Sequence, residues 1–204
     1  MNYDEAKKLT QKFYDDFVET YIVRSAEKPE KTIAEFSALL SGVLGIKNIL
    51  DAGCAGGNSA VSFLNLGFQV LGVDFSYQMC RAARSRGVPV IQADLEYLPF
   101  DVWEFAGIWA RKSLVHIPQN SIPAVFKNFH KLLRKNGILY FDLKEGAGEE
   151  LKTTKEGTTF FSYWETEEIK LALTEANFKV IKMTHGELDR FKEHRFLEIF
   201  AVRR

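Results

Sequence analysis

From Ile49 to Asn58 the chain reads Ile-Leu-Asp-Ala-Gly-Cys-Ala-Gly-Gly-Asn, a short apolar run that passes through an acid into a glycine cluster and on into an amphipathic segment. No other stretch constrains the fold as much. A backbone that reverses this sharply needs residues without bulk. A helix beginning at its far side presents unpaired N–H groups and a positive dipole end. The spacing therefore predicts a strand, a tight loop and a helix that together hold a small ligand. Alone, such a loop is compatible with nucleotides, dinucleotides and other adenosyl compounds.

The same alternation repeats downstream. Apolar runs at 48–52, 68–73, 88–93, 105–110 and 138–143 alternate with amphipathic segments at 58–66, 76–86 and 119–135, with a short loop-helix near Glu96–Phe100. A helix at 166–176 and strands at 178–185 and 194–202 follow. This is the pattern of βαβ units, a parallel sheet with helices on both faces. Too few residues separate the last two strands for a crossover helix, so that pair is expected to be antiparallel. Upstream, residues 3–24 have Leu9, Phe13, Phe17, Tyr21 and Ile22 at helical spacing, Ser25–Lys31 reads as a hinge, and Thr32–Leu44 as a further helix. The aromatic residues of 3–24 could fold over the loop as a lid.

Asp51, Asp74 and Asp94 stand at or just past the ends of the first three strands, 23 and 20 residues apart. Parallel strands put these ends on one edge of the sheet, so the three carboxylates are expected to line one crevice, where open α/β sheets bind ligands. Each has a plainer alternative: Asp51 could simply bond loop N–H groups, and Asp74 precedes Ser76, a good helix cap.

Lysine plus arginine equals aspartate plus glutamate at 27 each, which argues against a dedicated nucleic-acid binder. The two cysteines make neither a disulfide framework nor a metal-ligand spacing, so no metal is expected. No apolar run approaches bilayer-spanning length and the N-terminus lacks the pattern of a signal peptide, so a cytoplasmic protein is expected, without membrane partners.

With these residues in view, the chain resembles the class I S-adenosylmethionine-dependent methyltransferases of the small-molecule branch, similar to the ubiquinone/menaquinone-biosynthesis type. The resemblance covers roughly residues 48–145. Leu50–Gly57 is similar to the family's glycine loop, with Gly53 and Gly57 at its outer glycines and Ala55 in place of the middle one. Val73–Met79 resembles the second motif, Gln92–Phe100 the third, and Phe105–Pro118 the fourth, with Ala106 where the family often has an acid.

The resemblance implies a Rossmann-like doubly wound α/β fold: a seven-stranded mixed sheet with an antiparallel last strand, helices on both faces and an N-terminal helical lid. It implies one domain over 1–204, with a lid at 1–45, a cofactor-binding core at 46–145 and an acceptor side with the antiparallel edge at 146–204. It assigns S-adenosylmethionine to Asp51, Gly53, Cys54, Ala55, Gly57, Asp74, Phe75, Met79, Asp94, Leu95 and Arg111. Asp74 would hold the ribose, Phe75 and Met79 would flank the adenine, and Asp94 with Leu95 would read its edge.

His116, just past the fourth strand, is the candidate base or orienter. Tyr14, Tyr21, Lys144, Tyr163 and Trp164 are candidates to line the site of a small-molecule acceptor, and Arg111 or Lys112 could meet an anionic group. Two alternatives remain at this point. A non-catalytic S-adenosylmethionine-binding sensor or scaffold would fit the same motifs. A nicotinamide-dependent oxidoreductase would want a Tyr-x-x-x-Lys pair on a helix, and Tyr140 and Lys144 fall in an expected strand, where four residues span about 13 Å.

Overall fold

The computed structural model describes residues 2–25, 29–43, 45, 47–100, 105–189 and 191–204. Hinge residues 26–28, the expected helix end at Leu44 and Arg190 in the last turn lie outside them. In chain order the elements are α1 (Tyr3–Asp16), α2 (Val18–Arg24), α3 (Glu30–Leu40), β1 (Asn48–Ala52), α4 (Asn58–Asn65), β2 (Gln69–Asp74), α5 (Tyr77–Ser85), β3 (Val90–Gln92) and β4 (Phe105–Ala110). A 3-10 turn at Leu114–His116 follows, then α6 (Ile122–Leu132), β5 (Leu133–Glu145), β6 (Glu149–Thr154), β7 (Gly157–Trp164), α7 (Thr166–Glu175), β8 (Phe178–Leu188) and β9 (Arg195–Arg203).

The strands β3, β2, β1, β4 and β5 are parallel neighbours in that order, and β9 pairs antiparallel with both β5 and β8. These are the seven strands expected from the sequence, with the antiparallel pair where the short connection required it. Successive side chains point to opposite faces, and the core divides accordingly. Leu50, Ile108, Leu139 and Phe141 face the cluster capped by α6 and α7, while Ile49, Trp109, Ile138 and Tyr140 face α3 and α4. Trp109 and Tyr140, register partners on β4 and β5, stack at 4.1 Å between ring centroids. Gly107 lets α3 sit close to the sheet, because a Cβ there would fall 2.6 Å from the Phe36 ring.

Three expectations are corrected. The segment Glu96–Phe100 makes a turn, with the Tyr97 N–H donating to the Asp94 carbonyl, and no helix. The helix expected over 119–135 stops at Leu132, because Leu133 already pairs with Phe105. Asn136 then turns the chain at φ +62° within the irregular start of β5. Residues 149–164, where no strand was expected, form the β6–β7 hairpin. β6 is mostly exposed and charged and so lacks the alternation that marks a half-buried strand.

The hairpin shapes the ligand-binding edge. Lys144 pairs with Phe196 of β9 and also with Tyr163 of β7, so β7 lies on the opposite side of β5 from β9. It therefore continues the line of β4 beyond Ala110, over the carboxyl ends of the strands.

Candidate active site

A cavity of about 330 Å³ opens at that edge. Asp51, Gly53, Cys54, Ala55, Asp74, Phe75, Asp94, Leu95 and Arg111 all line it, so the three strand-end acids do share one crevice.

The loop after β1 owes its shape to left-handed backbone at Gly53, Ala55 and Gly57, with φ of +80°, +46° and +80°. For an alanine that conformation costs about 1–2 kcal/mol. It is held by Asp74, whose two carboxylate oxygens accept from the Ala55 N–H at 2.8 Å and the Ser76 N–H at 2.9 Å. Gly53 has no substitute, since a Cβ there would overlap the Ser113 side chain at 2.2 Å.

Burial in this edge pushes carboxylate pKa values upward. Asp51, 2% exposed, rises to about 7 through burial and the nearby charge of Asp74, and its Oδ2 has no hydrogen-bond partner among the described residues. Asp74 rises to about 6 through burial, opposed by its backbone donors. Asp142, at the end of β5, also rises to about 6 through burial, opposed by Arg111 and by the Lys112 N–H. Burial likewise holds the Cys54 thiol well above its ordinary range, and its sulfur packs against Gly72 of β2.

The N-terminal helices supply the opposite wall through Tyr3, Lys7, Thr10, Phe13, Tyr14 and Tyr21. One polar stripe of α1 fastens it to the cofactor-side loops. Lys7 bridges Asp94 and Glu96, each at 2.5 Å, and Gln11 donates to the Phe75 carbonyl. Asp15 accepts from Ser76 Oγ and the Gln78 N–H, capping α5 from outside. On the other side Thr10 Oγ1 accepts from the Phe160 N–H of β7.

Tyr14 and His116 meet across the cavity. Tyr14 Oη is 2.7 Å from His116 Nε2, and His116 Nδ1 is 2.7 Å from the Phe160 carbonyl oxygen. A carbonyl can only accept, so Nδ1 carries the proton in the neutral ring and Nε2 accepts from the phenol. Beyond this pair Lys144, 3% exposed, is ion-paired with Asp189 at 2.8 Å.

Four positions singled out from the sequence lie elsewhere. Met79 is fully buried under α5 and does not line the cavity, because Ser76 caps the helix one turn earlier and turns Met79 inward. Gly57 faces Ala83 and Val88, where its role is helix–sheet packing. Tyr163 and Trp164 are buried outside the cavity wall, and Tyr163 donates to Glu150 on β6. Their strand neighbours Thr159 and Phe161 line the cavity instead, as do Asp189, Phe191 and Phe196. No sequence signal marked these five: the strand holding the first two was not expected, Asp189 and Phe191 sit in the β8–β9 connection, and Phe196 is one apolar residue among several at the start of β9. Among the described residues no cluster suits a metal ion, and no helix is long and apolar enough to cross a membrane.

Comparison with known proteins agrees with this geometry. Residues 49–137 match the family model described as a methyltransferase domain. A malonyl-[acyl-carrier protein] O-methyltransferase from Pseudescherichia vulneris is 29% identical over 107 residues, 51% of this chain and 42% of that protein. The chain spans less than half the length of the curated relatives it matches. Its fold matches an S-adenosylmethionine-dependent methyltransferase from Methanosarcina mazei at TM-score 0.72 and 16% identity, over 81% of this chain and 96% of that one. It also matches 1,6-didemethyltoxoflavin-N1-methyltransferase from Burkholderia thailandensis at TM-score 0.70 and 21% identity, over 100% of this chain and 91% of that one.

Proposed function

We propose that this chain, which carries a methyltransferase domain at residues 49–137, transfers the methyl group of S-adenosylmethionine to a small-molecule acceptor. One observation carries this: the buried Asp51 and Asp74 at the glycine loop share a cavity with the Tyr14–His116 pair.

The residues present fit that cofactor. A buried carboxylate with an unpartnered oxygen, beside a second carboxylate, favours a ligand with positive charge, as an ammonium and a sulfonium supply. The same charges oppose a dinucleotide, whose pyrophosphate would face Asp51 at the start of α4. Tyr140 and Lys144 lie on β5, so they form no helical pair for hydride transfer. Asp51 and the loop backbone would hold the cofactor's amino-acid end, Asp74 its ribose and Asp94 with Leu95 its adenine edge. When bound, the cofactor supplies an electrophilic methyl carbon for in-line displacement.

The chain's work is then to orient the acceptor, exclude water and take up a proton where the nucleophile carries one. Tyr14 accepts the acceptor's proton as its own passes to His116 Nε2, and the Phe160 carbonyl holds the resulting imidazolium through Nδ1–H. This relay favours a catalyst over a scaffold, since a pure binding domain needs no base across from its ligand.

The bound 1,6-didemethyltoxoflavin of the Burkholderia thailandensis structure is a small-molecule acceptor in the same fold. A quinone-pathway acceptor is one class within this proposal and carries no separate support. We further propose one domain over 1–204, with α1 and α2 as its lid, acting in the cytoplasm. Both cysteines are free and buried, which suits a reducing compartment.

Titration calorimetry tests the proposal. Binding of S-adenosylmethionine and S-adenosylhomocysteine, with none of NAD, is the expected result. A flat titration with both sulfur compounds overturns it.

A further inference from the structure

Lys144 is an unusual residue to find at the wall of a cavity. It sits near the end of β5 with a side chain 4% exposed, and burial presses its pKa below the ordinary range while Asp189 opposes the fall. Removing an ion pair from water costs several kcal/mol per ion, and a buried pair is weak evidence for stability. Three directions are open to an ammonium. One N–H donates to Asp189 Oδ2 at 2.8 Å. A second direction is covered by the Phe161 ring, whose centroid is 3.6 Å from Nζ. The third has no hydrogen-bond acceptor among the described residues, and the side chain lines the cavity.

Asp189 is held in place from its other oxygen, which accepts from the Phe191 and Glu193 N–H groups, each at 3.1 Å. Burial opposes its ionisation, but Lys144 and those backbone donors hold it below the usual carboxylate range. The carboxylate is thus spoken for by the protein, and the ammonium has a donor to spare. The surrounding wall is apolar and flat-sided. Phe161, Phe191 and Phe196 line the cavity there, and the Phe161 ring also faces His116 at 5.0 Å between centroids. One aromatic ring therefore separates the proton-accepting dyad from the lysine.

We propose that Lys144 is an acceptor-binding residue and that the acceptor is a small aromatic or conjugated acid. Its flat body packs among Phe161, Phe191 and Phe196, an anionic oxygen such as a carboxylate receives the free Lys144 N–H, and its nucleophile is left facing Tyr14 and His116. This rests on the methyltransferase proposal above and narrows its acceptor.

The test uses the full-length protein saturated with S-adenosylhomocysteine and titrated with 1-naphthoate or its neutral counterpart 1-naphthamide. The expected result is that naphthoate binds at least tenfold more tightly than naphthamide. The double variant Lys144→Met/Asp189→Asn, which removes both charges, is expected to bind the two alike. Lys144→Gln alone, whose amide can still donate to Asp189, removes the cation and is expected to lose the preference, so it serves where the double variant fails to fold, and a preference that survives it counts against the proposal. Equal affinities in the wild type, no naphthoate binding, or a preference that survives the double variant overturns the proposal. S-adenosylhomocysteine binding is measured first in every protein. Its absence from the wild type counts against the methyltransferase reading itself, whereas its presence without anion preference counts against Lys144 alone.

Discussion

Tyr14 on the first helix and His116 past the fourth strand are 102 residues apart and share a 2.7 Å hydrogen bond. The bond joins the covering helices to the sheet edge, and the Phe160 carbonyl on His116 Nδ1 fixes which nitrogen receives the phenol. The phenol on Nε2 and the carbonyl on Nδ1 lie in line, so a proton passing from Tyr14 to the ring would leave an imidazolium held by that carbonyl.

Loss of either end of that path should reduce turnover without loosening the cofactor. Tyr14→Phe and His116→Ala are each expected to lower kcat by about 10²–10⁴-fold for an acceptor that loses a proton, the usual worth of positioned acid–base catalysis. The double variant should fall little further, because the two act as a unit. Steady-state kinetics with S-adenosylhomocysteine affinity measured alongside would check this, and additive losses would separate the pair.

Asp51 carries a pH signature. Its pKa, near 7 in the folded protein, lies above the ordinary carboxylate value, so the folded state binds the proton more tightly than the unfolded state. Its contribution to stability is fully present below about pH 4 and is lost as pH rises to about 7, at about 1.4 kcal/mol per pKa unit. Thermal melts between pH 4 and 8 should fall through that window in the ligand-free protein, less steeply in Asp51→Asn. Affinity for the cationic cofactor should rise over the same window as the carboxylate ionises, and this rise should flatten in the variant.

Asp74→Ala should weaken S-adenosylhomocysteine binding by roughly 1–3 kcal/mol, the scale of hydrogen bonds to a charged group. It also releases the Ala55 N–H, whose left-handed backbone then has no anchor. The companion Ala55→Gly in the Asp74→Ala background should recover part of the loss, as calorimetry would show. No recovery would place the whole effect at the ligand.

Gly107→Ala tests the packing of α3 on the sheet. Its Cβ would fall 2.6 Å from the Phe36 ring and 2.9 Å from Leu40, both fully buried. Overpacking of this kind costs about 1–3 kcal/mol, and a lowered denaturation midpoint with unchanged cofactor affinity is expected.

The cofactor side of the site was legible in the chain because it is written locally. Asp51, Asp74 and Asp94 each end a strand of a repeating βα unit, and parallel pairing alone brings such ends together. The side proposed to hold the acceptor was not. Lys144 appeared from its place near the end of β5, but its partner Asp189 lies in the connection between two antiparallel strands. Phe161 lies in a hairpin whose outer strand is too polar to read as one. Lys7, Gln11 and Asp15 looked like the solvated face of an amphipathic helix, and only contact with the β2 and β3 loops showed what they hold.

The sequence by itself therefore determined seven strands, the parallel run of the first five, the antiparallel end and the three converging acids, because periodicity and connection length act over a few tens of residues. The tertiary structure decided what stands opposite them. Tyr14 meets His116, α1 closes on Asp94, and β7 crosses beyond β4 through contacts between residues far apart in the chain. Such pairings depend on how whole elements dock, and no local pattern encodes that.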